Sequence, residues 1–258
     1  MKRTLLLIAL ILIFACKSEF KKDVMTTENR DIHKNDVPAG PFLDSLKLGI
    51  SFTPKGEYSS ILDIIRTDRR YFLNLYATNS TKAVDSASRY LYSKLLNDIV
   101  PHWYGTTWDF NGHTDIPNHG EIACGYFVST TLKHLGLNLN RYKMAQAAGL
   151  DEAKLLQPRQ ELKLYANLTF EQLKNKVNSV YNDGIYFVGL DNHVGYVLIK
   201  DKTLYFLHSS YCDDKVVIEL AETSLCFDSN IYVFAEITTN TTLIKKWIHN
   251  ERLNMSSN

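Results

Sequence analysis

The chain has 258 residues, a net charge of +1 and 45% hydrophobic residues. That composition supplies one large core, or one core with an appendage. The near-neutral balance gives no electrostatic reason to expect nucleic acid as a partner.

The N-terminus reads as an export signal. Lys2 and Arg3 precede eleven uninterrupted apolar residues, Leu5 through Ala15. A bilayer span needs about 20 apolar residues, whereas a signal-peptide core is shorter. The run ends in Ile13-Phe14-Ala15-Cys16, which resembles the bacterial lipobox. That resemblance implies removal of residues 1–15 and lipid attachment to Cys16. An ordinary signal peptide with Cys16 incidental is the simpler alternative. Loss of Lys2 and Arg3 takes the net charge from +1 to −1. Residues 16–45 are mixed, charged and aperiodic, as expected of a tether between membrane and domain.

Residues 46–100 read as an N-terminal helical segment, with helices over 57–77 and 80–100. In the second, Val84, Ala87, Leu91, Leu95 and Ile99 form one apolar stripe, and Pro101 is expected to close it. Residues 102–121 mix turn formers with aromatics (Trp103, Tyr104, Trp108, Phe110), which suits a cleft wall. A helix follows from about Cys124 to Leu135, with Gly136 as its stop. Thr169 and Gln172 match a capping box opening a further helix. Beyond Gly184 the period becomes strand-like: Ile185–Leu190, His193–Ile199, Thr203–Ser209, Lys215–Leu220 and Ile231–Ile237. A final amphipathic helix is expected over 243–253, within a C-terminal segment 241–258. Helices first and an antiparallel sheet afterwards point to the α+β class. Cys212 and Cys226 lie near strand ends, and spacing alone leaves open a disulfide or two separate thiols.

Cys124 at a helix start would have unpaired N–H groups and the helix dipole beside its sulfur, both favouring a thiolate. The same N–H groups suit the oxyanion of an acyl transfer. A cysteine nucleophile also needs a base and a group to orient it. If strands 193–199 and 203–209 pair through a two-residue loop, Asp201-Lys202, then Lys200 faces Thr203 and His208 falls opposite Gly195. His193 and His208 then share a sheet face, with room above Gly195 for their rings to meet. Asp191 or Asn192 could orient His193 instead. His102, His113 and His119 offer no close metal-ligand spacing, so neither metal nor cofactor is expected.

Taken in order, Cys124-Gly125-Tyr126-Phe127-Val128, Leu139-Asn140-Arg141, Gln146, His193-Val194-Gly195-Tyr196 and Leu207-His208-Ser209 resemble the NlpC-type cell-wall cysteine peptidases. The resemblance covers about residues 100–215. It implies a papain-like catalytic domain, here 101–240, in which a cysteine-bearing helix packs on a small antiparallel sheet. It places the nucleophile on Cys124, the catalytic histidine on His193 and the third polar residue on His208. Tyr104 and Gly125 are the matching oxyanion or substrate-binding positions, although Tyr104 lies twenty residues before Cys124. The family's usual Asp-Cys-Ser-Gly-Phe is replaced here by Ala123-Cys124-Gly125-Tyr126-Phe127, and residues 141–172 carry an additional short helix or loop.

The implied function is hydrolysis of an amide bond, in peptidoglycan stem peptides or another amide, by an enzyme held in the bacterial envelope through its lipid anchor. The rival from another class is a non-catalytic envelope lipoprotein that binds wall peptides or a partner protein.

Overall fold

A computed structural model describes residue 48 and residues 50–255. The expected signal peptide, the tether and the lipid-attachment residue Cys16 lie outside the described residues.

The first helix, α1 (Tyr58–Thr78), leads through Asn79 into α2 (Ser80–Ser93), and the Asn79 side chain caps α2 by accepting the Lys82 N–H. The apolar stripe of the second helix is buried throughout, Val84, Ala87, Leu91, Leu95 and Ile99 included. Pro101 does not close it. The chain passes through a π-helical turn (Lys94–Ile99), in which the Val100 N–H reaches the Leu95 carbonyl, and continues as α3 (Val100–Trp103). Widening the turn relieves the clash that a proline ring makes inside a regular helix.

A loop over 104–123 precedes α4 (Cys124–His134), which Gly136 stops at φ 98°. Two short helices follow, α5 (Arg141–Ala145) and α6 (Gly149–Leu156), and then a 3₁₀ turn (Arg159–Glu161). The segment expected to hold a short helix or loop therefore holds two helices, and also a strand, β1 (Lys163–Ala166). Next comes α7 (Phe170–Val180), opened by the Thr169/Gln172 capping box. The remaining strands are β2 (Gly184–Gly189), β3 (Val194–Lys200), β4 (Thr203–Ser210), β5 (Lys215–Leu220) and β6 (Ile231–Glu236). The last helix is α8 (Thr241–Ile248).

The strands form one antiparallel sheet in the order β1-β6-β2-β3-β4-β5. The fold is α+β. One face (Phe187, Tyr196, Leu198, Leu207, Ala235) packs on the helices of the N-terminal half and α8. The other face (Tyr186, Val197, Phe206, Phe234) is covered by Leu173 and Val177 of α7. Cover on both faces explains why β2 is buried at every position, where a one-sided sheet would alternate. The N-terminal helices belong to this core: Phe72 of α1 meets Trp247 of α8 at 5.7 Å, and Trp103 Nε1 donates to the Tyr58 hydroxyl at 2.6 Å.

The β3–β4 hairpin has the expected register, Lys200 opposite Thr203 and Tyr196 opposite Leu207. Asp201 and Lys202 both take positive φ, 48° and 63°, the geometry of a tight hairpin turn that follows strand twist.

Of the two readings left open for Cys212 and Cys226, the structure has the disulfide, with Cα atoms 6.2 Å apart. It ties the β4–β5 turn to the segment before β6. The bridge spans 14 residues, and closing a loop of that size in the unfolded chain is worth about 3 kcal/mol. Replacing both cysteines by serine is expected to lower unfolding stability in urea by about that amount, and an unchanged midpoint would show that the bridge is not formed.

Candidate active site

Cys124 is the first residue of α4, and its N-cap, Ala123, has no capping side chain. Two bonds fix this helix start over the sheet. Ser209 Oγ of β4 donates to the Ile122 carbonyl at 2.7 Å, and the Tyr196 hydroxyl of β3 donates to the Val128 carbonyl at 3.0 Å. Gly125 lets α5 come close, since a Cβ there would lie 2.6 Å from the Ala145 carbonyl oxygen. From the other side, buried Arg141 holds the loop before α4, donating to the carbonyls of His113 (2.6 Å) and Thr114 (3.1 Å) and to Thr130 Oγ1 (2.6 Å).

His193 closes the β2–β3 turn, its carbonyl accepting the Leu190 N–H at 2.8 Å. Cys124, Gly125 and His193 line one cavity of about 240 Å³, together with Glu152, Val194 and the alanine run around α5 and α6. Among the described residues no hydrogen bond joins Cys124 to His193. The backbone N–H groups of Val194, Gly125 and Cys124 itself act on the thiol, each lowering its pKa.

The two histidines meet as their spacing requires. His193 Nε2 lies 2.7 Å from His208 Nδ1. Gly195 leaves the passage between them, because a Cβ there would stand 2.6 Å from the Phe206 ring and 2.9 Å from His208 Cβ. His208 is stacked on Phe206 at 3.9 Å, and its Nε2 lies 3.0 Å from Glu219 Oε1, which also accepts from Ser224 Oγ at 2.6 Å. Asp191 does not orient His193: its carboxylate accepts from the Asn230 N–H at 2.8 Å.

This chain of bonds assigns the protons. An ionised carboxylate only accepts, so His208 carries its proton on Nε2 and accepts at Nδ1. His193 then donates from Nε2, leaving Nδ1 as a bare lone pair. That Nδ1 is buried and has no partner among the described residues. Glu219 is held below the usual carboxylate range: burial pushes it up, and hydrogen bonds from His208 and Ser224 push it further down. Burial pushes His208 down, opposed by Glu219. Burial, with His208 beside it, takes His193 down to about 3. Burial also pushes the Cys124 thiol up, against the N–H groups that lower it. The resting pair is therefore neutral thiol and neutral imidazole, and the helix terminus that was expected to favour a thiolate does not outweigh desolvation.

Tyr104 is not brought to this cavity. It follows α3, with its ring on Phe52 at 4.7 Å, and the next residues are drawn to the sheet edge by the Gly105 N–H bond to the Val216 carbonyl. The aromatic loop likewise lines a separate open cavity of about 520 Å³, through Asp109, His113, Asp115 and His119 among others. Asp109 there caps a turn, accepting the Asn111 N–H at 2.7 Å. The aromatic beside the site is Tyr211, edge-on to His193 at 5.1 Å and in turn 6.2 Å from Trp108.

Among the described residues, one set has metal-ligand proximity: nitrogens of His193 and His208 with the sulfur of Cys226, all within 4.8 Å. The Cys226 sulfur is committed to Cys212, and His193 Nε2 and His208 Nδ1 bond each other.

Glu219, Tyr211 and Glu152 were missed in the sequence. Glu219 had a signal: β5 pairs with β4 so that His208 faces Val217 and Phe206 faces Glu219, which puts Glu219 on the histidines' face. Extending the register across the 211–214 turn would have found it. Glu152 had none.

The histidine shifts have a consequence for folding. His134, buried against Tyr58, is held to about 4, and His193 to about 3, both below the ordinary value of 6.5. Between those values the unfolded chain binds more protons than the folded one. The stability from these groups is therefore complete above about pH 6.5 and falls as pH drops towards 3. Urea midpoints measured between about pH 7 and about pH 4 should fall on acidification, less steeply in His193→Gln. Equal slopes in the two proteins would contradict the burial of a neutral His193.

No family model matches this chain, and no curated protein and no solved structure matches it.

Proposed function

We propose that the protein is a cysteine hydrolase cleaving an amide bond, in peptidoglycan stem peptides by preference, with Cys124 as nucleophile and His193 as base. One observation carries the reading. His193 lines the same cavity as Cys124, and it is held there in the one tautomer whose free nitrogen, Nδ1, can take a proton. A cysteine helix on an antiparallel sheet that supplies the histidine also supports a papain-like classification.

In this mechanism substrate entry brings the scissile carbonyl against the sulfur. The thiol proton passes to His193 Nδ1 as the sulfur attacks, and the N–H groups around Cys124 receive the developing oxyanion. His193 returns the proton to the leaving amine, and water, deprotonated by the same nitrogen, releases the acyl group. His208 and Glu219 are positioning residues, holding His193 Nε2–H and stabilising the imidazolium that forms. The envelope location and the lipid anchor complete the proposal, on the strength of residues 1–16.

The rival reading, a wall-binding lipoprotein without catalysis, is favoured by the unmade Cys124–His193 bond and the raised thiol. Digestion of purified peptidoglycan separates them. The full chain should release new peptide termini that mass spectrometry detects, Cys124→Ala none, and His193→Ala about 10²- to 10⁴-fold fewer per unit time. Retention of wall peptides without cleavage would favour the binding protein, and identical fragments from wild type and Cys124→Ala would rule out the thiol mechanism.

A further inference from the structure

Glu152 is the buried group in the cavity for which the steps above have no use. α6 starts at Gly149, where a Cβ would lie only 3.0 Å from Gly189 Cα of β2. That close approach carries Glu152, one turn later, into the wall shared by Cys124, Gly125 and His193. The residue is 1% exposed, and among the described residues its Oε2 has no hydrogen-bond partner. No lysine or arginine lines the cavity; the other charged group there is Asp191 in the β2–β3 turn. Burying a polar atom without a partner is destabilising, and a ligand that supplies the partner recovers the loss.

Two ligand chemistries fit a carboxyl: a cation for the carboxylate, or an acceptor for the carboxylic O–H. Burial holds this carboxyl well above its usual range. Pairing with a cation then requires the charged form, which burial disfavours. Donation from the O–H carries no such penalty. An ionised Glu152 would also push the neighbouring Cys124 thiol up.

We propose that Glu152 is a substrate-binding residue whose carboxylic O–H donates a hydrogen bond to an amide carbonyl on the acyl side of the substrate. The site then selects an uncharged amide at that position and disfavours an ammonium. This deepens the reading of the cavity as an acyl-transfer site and rests on it.

Alkylation of Cys124 in the full chain tests it without a known substrate. Rates with iodoacetamide, a neutral amide, and 2-bromoethylammonium, a cation, are each divided by the same reagent's rate on free cysteine. The same thiolate attacks both reagents, displacing iodide or bromide, so its population cancels from their ratio. The ratio should favour the amide by about tenfold, the worth of one hydrogen bond. Glu152→Gln, whose side-chain amide still donates, should keep that preference, and Glu152→Leu should lose it. A preference for the ammonium, or equal ratios in wild type and Glu152→Leu, would overturn the proposal. Should Glu152→Leu fail to fold, infrared spectra of wild type and Glu152→Gln decide. A carboxylic C=O band present only in wild type should move when Cys124 is carbamidomethylated, and an absent or unmoved band would overturn the proposal. If no amide is hydrolysed and the preference persists, the hydrolase reading fails and the binding role of Glu152 stands.

Discussion

The bond between His193 Nε2 and His208 Nδ1, 2.7 Å long, runs over Gly195, whose missing side chain leaves the passage. Everything that gives the site its character follows from making that bond. It needs the β3–β4 register, which the Asp201-Lys202 turn sets. It needs His208 held flat, which Phe206 does by stacking. And it needs a proton acceptor beyond His208, which Glu219 supplies from β5. Remove the acceptor and the imidazoles have no reason to prefer one tautomer over the other.

Cover on both sheet faces sets the electrostatics. With α7 closing one side and α4 the other, the two imidazoles are withdrawn from water, and burial drives both towards the neutral form. The half-buried carboxylate of Glu219 keeps its charge by taking two hydrogen bonds at Oε1, from His208 and from Ser224. The arrangement thus stores one negative charge at the far end of the relay and leaves a neutral acceptor facing the thiol. A positive charge arising on His193 during proton transfer would be stabilised through His208 by that carboxylate. The disulfide between Cys212 and Cys226 belongs to the same arrangement: it holds the turn carrying Tyr211, whose ring stands perpendicular to that of His193 at 5.1 Å.

Much of this was legible in the residues. The apolar stripe of Val84 to Ile99, the glycine stop of α4, the capping box at Thr169 and the β3–β4 register are local patterns, and local patterns survive folding. The meeting of His193 and His208 was legible for the same reason, because a two-residue turn fixes parity over the length of a hairpin. What escaped depends on contacts between distant segments. Tyr104 was assigned from the family resemblance despite its distance from Cys124, and the pairing of Gly105 with Val216 draws that loop to the β5 edge of the sheet. The helix was expected to stop at Pro101, and a π-helical turn carried it on because Ile99, Val100 and Trp103 all bury side chains in the core. Strand β1 pairs only with β6, almost seventy residues later, so nothing near Lys163 announces it. The thiol was read from its helix terminus alone, and burial, which no local pattern reports, reverses the direction of its shift.

The tautomer of His193 is the point on which these relations converge, and nitrogen-15 spectra of the histidine rings at neutral pH read it directly. The relay requires His193 and His208 both to carry hydrogen on Nε2 and to leave Nδ1 bare, with Glu219→Gln disturbing the pattern at both rings. A spectrum with His193 protonated on Nδ1, or with both rings exchanging freely between tautomers, would contradict the relay and with it the assignment of His193 as the base.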